Sequence, residues 1–207
     1  MKLNVSWVAN SSSSSHLIGF HTNTPEGIRK EIREGLKPLL HTGKITQAVL
    51  NRVTDTLLFD MKNSAELAVD GWHGRIIDRN ELFQFFYTKQ EELLREQFRY
   101  EYWKRAISRG EILPRVDGYV SYVERKDVAE QIENLVRSKM SELQPKIAKQ
   151  VERYGYEYYT IVEYGHDSPI AYQRRETMPC PQEVCSEDIM EQILSIAPLT
   201  LAVERHH

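Results

Sequence analysis

DRNELFQFFYTKQEELLREQFRYEYWKRAISRG, from Asp78 to Gly110, is the longest stretch of this chain whose beginning, body and end all obey helix rules. Asp78 can accept a backbone hydrogen bond at the helix start while Glu81 reaches back, and Ile77 and Leu82 sit where a hydrophobic staple closes the entry. At the other end Gly110 suits the left-handed conformation that terminates helices, and Lys104, Arg105 and Arg109 place positive charge against the negative end of the dipole. The spacing predicts a helix over 79–109, roughly 45 Å long at 1.5 Å per residue. Leu82, Phe83, Phe86, Tyr87, Leu93 and Leu94 share one broad face, whereas Phe98, Tyr102, Trp103, Ala106 and Ile107 drift toward another. One neighbour cannot cover both, so the aromatic half of the helix is expected to cross the middle of the fold or to meet another molecule. Glu91 with Arg95 and Glu101 with Arg105 are favourably ordered pairs that mark a solvated side.

Working outward, the amphipathic pattern continues on both sides of this helix. Thr24 and Pro25 form a cap and first turn, and Ile28, Ile32 and Leu36 recur every four residues until Gly35 and Pro38 interrupt. Ile45, Val49, Val53, Leu57 and Met61 continue the spacing over residues near 44–62, so two helices are expected to lie together as a hairpin. On the C-terminal side, Asp127 and Glu130 suggest a second capping box. It opens a helix over 127–153 along Val128, Ile132, Leu135, Met140, Leu143, Ile147 and Val151, with Pro145 as a kink or break and Gly155 as the stop.

Strand signals are shorter. Leu3, Val5 and Trp7 alternate with polar residues, Asn10 to Ser15 reads as a serine-rich connector, and His16 to Phe20 as the returning strand. Tyr119–Val123 and, most strongly, Tyr156–Tyr164 carry β-branched and aromatic residues. Ser186 caps a short helix to about Ile196, and Leu199–Val203 is a closing strand. Leu67–Val69 and Arg75–Ile77 flank Asp70-Gly71-Trp72-His73-Gly74, a hairpin whose tip carries Trp72 and His73, where Trp72 either folds back on the core or joins His73 in a contact. Together these features predict an α+β, helix-rich fold. Two long helices pack with an N-terminal helical hairpin and a small, mostly antiparallel sheet. The 207 residues read as one domain, with a subdivision between 1–77 and 78–207.

Composition narrows the function classes. Hydrophobic residues at 41% and charged residues at 28% are ordinary for a globular chain. A net charge of -3 argues against a protein that coats nucleic acid. Residues 1–110 carry 16 basic and 13 acidic groups and residues 111–207 carry 11 and 17, an asymmetry consistent with self-complementarity. Two cysteines, Cys180 and Cys185, make no disulfide framework, and no apolar run approaches the roughly 20 residues that span a bilayer. A cytoplasmic protein with no membrane partner is expected.

Several constellations carry candidate chemistry. Asp117, Glu124 and Lys126, with Glu91 or Glu92 from the preceding helix, resemble the PD-(D/E)XK nuclease motif, which implies Mg²⁺ and an oriented water. Asp117 and Glu124 fall on opposite sides of a continuous strand, so a turn at Asp117-Gly118 is needed to unite them. Gly19-Phe20-His21-Thr22, followed by Ile32 and Gly35-Leu36-Lys37-Pro38, is similar to the first motif of ADP-ribosyltransferases of the His-Tyr-Glu type. That likeness implies a strand-end histidine meeting an NAD ribose, with Glu163 available as the glutamate. Cys180 and Cys185 offer sulfur ligands that His166, His206 or His207 would complete. Arg95, Arg99, Lys104, Arg105, Arg109 and Arg115 interleave with Tyr100, Tyr102 and Trp103, a mixture that suits nucleic acid by stacking and charge. Glu96, Glu101 and Glu111 dilute that patch. The reading favoured by the residues is non-catalytic: protein–protein interaction or self-association through Phe98, Tyr102 and Trp103, with Trp72 and His73 as a second contact. No catalytic residue, cofactor or metal is assigned.

Overall fold

In the computed structural model the described residues are 13–67, 74–109, 126–165 and 185–205, and they fall into two compact units. One comprises Phe83–Gln150, and the other is drawn from 13–82 and 151–205.

The second unit is built on a four-stranded sheet. Its strands are β1 (Ser13–Phe20), β2 (Ile77–Asp78), β3 (Tyr158–Gly165) and β4 (Thr200–Arg205), in the spatial order β2-β3-β1-β4. All three pairings are antiparallel. Ile18 lies opposite Thr160, and His16 lies between Val162 and Val203. Alternation along β1 sends Ile18 and Phe20 to one face and Leu17 to the other, and all three are buried. On the first face Ile18, Phe20, Val162 and Tyr164 join a single core with α1 (Pro25–His41), α2 (Gln47–Leu67) and a shorter helix over Glu187–Ile196. Ile28, Ile32 and Leu36 from α1 and Val53, Leu57 and Met61 from α2 meet there, which confirms the four-residue spacing as the core-facing stripe.

The serine run is where the structure corrects the sequence reading. Ser13, Ser14 and Ser15 belong to β1 instead of a connector, and Ser14 and Ser15 are buried. Their hydroxyls are small enough for the sheet interior, and Ser14 Oγ donates to Glu191 Oε1 at 2.7 Å. Helix α1 likewise runs through Gly35 and Pro38 to His41. Pro38 sits in the last turn, so the bond it cannot donate and the crowding of its ring against the preceding turn fall at the end of the helix, while Leu39 beyond it gains a place in the core. Gly35 is needed for close approach, because a Cβ there would stand 2.7 Å from Leu199 Cβ. Leu67 closes α2, residues 68–73 of the expected hairpin lie outside the described residues, and β2 pairs with β3.

The long helices are α3 (Arg79–Ser108) and α4 (Lys126–Tyr154), which makes the helix over Glu187–Ile196 α5. The capping box is reciprocal: Glu81 N donates to Asp78 Oδ1 at 2.8 Å and Asp78 N to Glu81 Oε2 at 3.0 Å, with Ile77 and Leu82 fully buried beside it. Helix α4 begins one residue before Asp127, which therefore lies in its first turn, and it passes Pro145 without ending. Gly155, at φ +76°, follows its last turn. The expected strands at Leu3–Trp7 and Tyr119–Val123 lie outside the described residues.

Within the unit Phe83–Gln150, α4 buries Val128, Ile132, Val136, Met140, Leu143 and Ile147 along one stripe. The two helices meet where Arg95 forks onto Glu133, Nε to Oε1 at 2.6 Å and Nη2 to Oε2 at 3.2 Å. Nη2 also reaches Glu91 Oε1 at 3.1 Å. The hydrogen bond from Arg95 holds the Glu133 carboxyl below its ordinary range, against a smaller opposing effect of burial. Both groups remain partly exposed, so solvent screening limits the pair. A double-mutant cycle with Arg95→Ala and Glu133→Ala should give a coupling of at most about 1 kcal/mol in thermal unfolding at pH 7. Because the folded-state pKa is depressed, that coupling is present above the ordinary glutamate value of about 4.3 and is lost as pH falls through the folded value. A coupling independent of pH between neutrality and strong acid would show that the fork contributes through packing alone.

Candidate interaction surface

The second half of α3 advances its apolar positions four residues at a time through Leu94, Phe98, Tyr102 and Ala106. Each step adds about 40° of rotation, so the stripe winds around the helix. Leu94 and Ala106 are buried, Phe98, Tyr102, Trp103 and Ile107 are half-buried, and Tyr100 is 59% exposed. Tyr100 and Trp103 lie side by side, with ring centroids 6.0 Å apart and planes at 41°. The Trp103 Nε1 atom is buried without an acceptor, unusual for an indole N–H. On α4, Leu135 is 53% exposed one residue from the buried Val136.

Cations frame this aromatic ridge. Arg99, Lys104, Arg105 and Arg109 are exposed, and the Arg105–Glu101 contact at 3.9 Å is too long to be a hydrogen bond. Gln97 Nε2 donates to Glu101 Oε1 at 3.1 Å, so that carboxylate is shared. The arrangement offers flat apolar area with charge at its border.

Of the residues singled out from the sequence, Phe98, Tyr102 and Trp103 are gathered on this stretch. Trp72, His73, Asp117, Glu124, Cys180, His166, His206 and His207 lie outside the described residues, as does the side chain of Lys126. The two carboxylates that the nuclease likeness would borrow from α3 are engaged by cations, Glu91 with Arg95 at 3.1 Å and Glu92 with Lys89 at 3.3 Å. His21 does follow β1, exposed and stacked on Tyr156 at 4.6 Å, and its backbone N–H donates to Glu31 Oε2 at 2.8 Å. Glu163, however, pairs opposite Ser15, toward the far end of the β1–β3 ladder from Phe20 and Tyr158. At about 3.4 Å per residue that is on the order of 20 Å from His21, so the two cannot face one ligand. Cys185 is buried, and its backbone N–H donates to Thr56 Oγ1 at 3.0 Å. Among the described residues no group of His, Cys, Asp and Glu could hold a metal ion, and no helix is long and apolar enough to cross a membrane.

No family model matches the chain, and no curated protein or solved structure does either.

Two features escaped the sequence reading. One is a buried polar group on the helix-covered side of the sheet, in which Tyr164 OH donates to Asp60 Oδ2 at 2.9 Å, with the His16 ring 6.1 Å from that of Tyr164. Asp60 directly precedes Met61 of the α2 stripe, and its place in an apolar run was the available signal. The other is a pair of open clefts against α1. The first, about 690 Å³, is lined by Arg29, Lys30, Arg33, Lys37 and His41 with Glu26 and Glu34. The second lies at the N-terminal end of the same helix.

Proposed function

We propose that the protein is a non-catalytic assembly protein that associates with itself through the aromatic half of α3. The observation that carries this reading is the exposed Tyr100 against Trp103, on a helix whose other aromatics, Phe98 and Tyr102, are only half-buried. Aromatic side chains are the usual energetic centres of protein interfaces, and leaving several of them wet along one stretch costs apolar burial that a neighbour restores. The charged border of Arg99, Lys104 and Arg105 suits a polar rim.

Light scattering over a concentration series tests it. The parent chain should have a mass above that of one 207-residue chain. Tyr100→Glu, at a position exposed enough to accept a charge without harm to the fold, should return it to a monomer. A parent chain that stays monomeric at its highest soluble concentration would defeat the proposal. Because cations flank the aromatic ridge, an oligonucleotide arm belongs in the same experiment. Binding that weakens steeply with salt and fails in Arg99→Glu would reassign the ridge to single-stranded nucleic acid.

A further inference from the structure

We infer that two copies of the chain pair antiparallel along α3, through the side of the helix that carries Leu93, Tyr100 and Ile107. This rests on the self-association proposed above and adds its orientation and its contact residues. At about 100° per residue, positions seven apart return to within about 20° of one direction, so these three form a single seam roughly 21 Å long. Seven-residue recurrence is the spacing of helices that pack along their length. Tyr100 is exposed and Leu93 and Ile107 are half-buried. Arg95, which grips Glu133 of α4, and the half-buried Phe98 and Tyr102 point about 140–160° away from Tyr100. The seam therefore lies on the side of α3 opposite α4, where a second helix has room.

Charge selects the occupant and its direction. From Lys89 to Glu96 the helix carries three carboxylates and two cations, and from Arg99 to Arg109 it carries four cations and one carboxylate. The charges of α4 do not remove this contrast. Glu133 and Arg137 cancel beside Arg95, and Asp127 and Glu130 set against the second segment still leave it one cation in excess. A parallel copy would lay like charge on like, whereas an antiparallel copy lays the acidic segment of each helix on the basic segment of the other. With the two-fold axis at Tyr100, that ring meets its own counterpart. Leu93 then comes level with Ile107 of the second copy, and Glu96 with Lys104 of the second copy, since each pair is equidistant from residue 100. Glu96 and Lys104 are both exposed and flank the seam at about 40° to either side of Tyr100. A single nucleic-acid strand would use the basic segment but would be repelled at Glu96 and would leave Leu93 wet.

Sedimentation velocity of the full chain over a concentration series tests the pairing. The parent should form a dimer that dissociates on dilution. Glu96→Lys and Lys104→Glu should each weaken association about tenfold, because each turns two symmetric attractions into two repulsions. The double variant Glu96→Lys/Lys104→Glu should return to within about threefold of the parent, since opposite charges again stand level. Circular dichroism melts of the variants, taken at a concentration where the chain is monomeric, should match the parent because both side chains are exposed. A parent that is monomeric throughout would overturn self-association and this pairing together. A dimer that Tyr100→Glu dissociates but that ignores both single reversals, or a double variant no better than the singles, would overturn the antiparallel order and leave self-association standing. A dimer indifferent to Tyr100→Glu as well would overturn the seam itself.

Discussion

A chain in which Leu57 is cut back to alanine should unfold in urea with a free energy lower than the parent by about 2–5 kcal/mol. Leu57 is fully buried at the middle of the α2 stripe, in the core that also holds Ile18 and Val162 of the sheet and Ile32 and Leu36 of α1. Removing its isobutyl group takes away transfer free energy and leaves a cavity that four packed elements cannot all move to fill. Folded domains have only about 5–15 kcal/mol in total, so the loss should show as a large drop in denaturation midpoint with little change in slope. Leu135→Ala is the internal comparison. That side chain is 53% exposed, and its truncation should change stability by no more than about 0.5 kcal/mol. A Leu57 deficit as small as that of Leu135 would mean that α2 does not close over the sheet as described.

The contrast between these two leucines also shows what the sequence could reveal. Both sit in regular apolar patterns, but α2 has a strict four-residue stripe, and Val53, Leu57 and Met61 from it are all buried. Period alone was enough there because one face meets one core. The start of α3 was legible for a different reason: Asp78, Glu81, Ile77 and Leu82 act on one another within a single turn, and local chemistry needs no knowledge of the rest of the chain. Ser13 to Ser15 failed that test in reverse. Composition marks serines as loop residues, yet β1 lies between β3 and β4, and the backbone pairing on both sides overrides a weak local preference. Pro38 reads as a stop because proline breaks helices in mid-run, whereas in the last turn only the end of α1 bears the disturbance. Leu135 was placed on the α4 stripe by its own hydrophobicity, but the stripe that is buried passes through Val136. That one-residue displacement puts Leu135 on the surface. The candidate surface on α3 was legible as an excess of aromatics for one neighbour, whereas the α1 cleft was not, because Ile28, Leu58, Met61 and Ile76 come together only through tertiary packing.

The buried polar group leads to the second large effect. Tyr164→Phe should destabilise the protein by about 1–3 kcal/mol, the range for leaving a buried acceptor without one of its donors. The substitution keeps the ring that packs in the core and beside His16, so the change is confined to the hydroxyl that donates to Asp60 Oδ2 at 2.9 Å. Asp60 is 1% exposed, and water cannot easily supply the missing donor without opening the contact between α2 and β3. The effect of Asp60→Asn should therefore be non-additive with that of Tyr164→Phe, with an interaction above about 0.5 kcal/mol in a double-mutant cycle. Strictly additive losses would show that the phenol and the carboxylate do not depend on each other. Placing Asp60 and Tyr164 face to face has a structural consequence beyond energy. An apolar stripe tolerates a shift of α2 along the sheet by one turn with modest repacking, but such a shift would carry the carboxylate about 5.4 Å from its donor. The pair thus selects one register for α2 over β3, and Tyr164→Phe should loosen that choice as well as lower stability. Amide hydrogen exchange along α2 can read this: faster exchange in its middle turns than the global loss accounts for is the expected result, and uniform acceleration across the chain would contradict it.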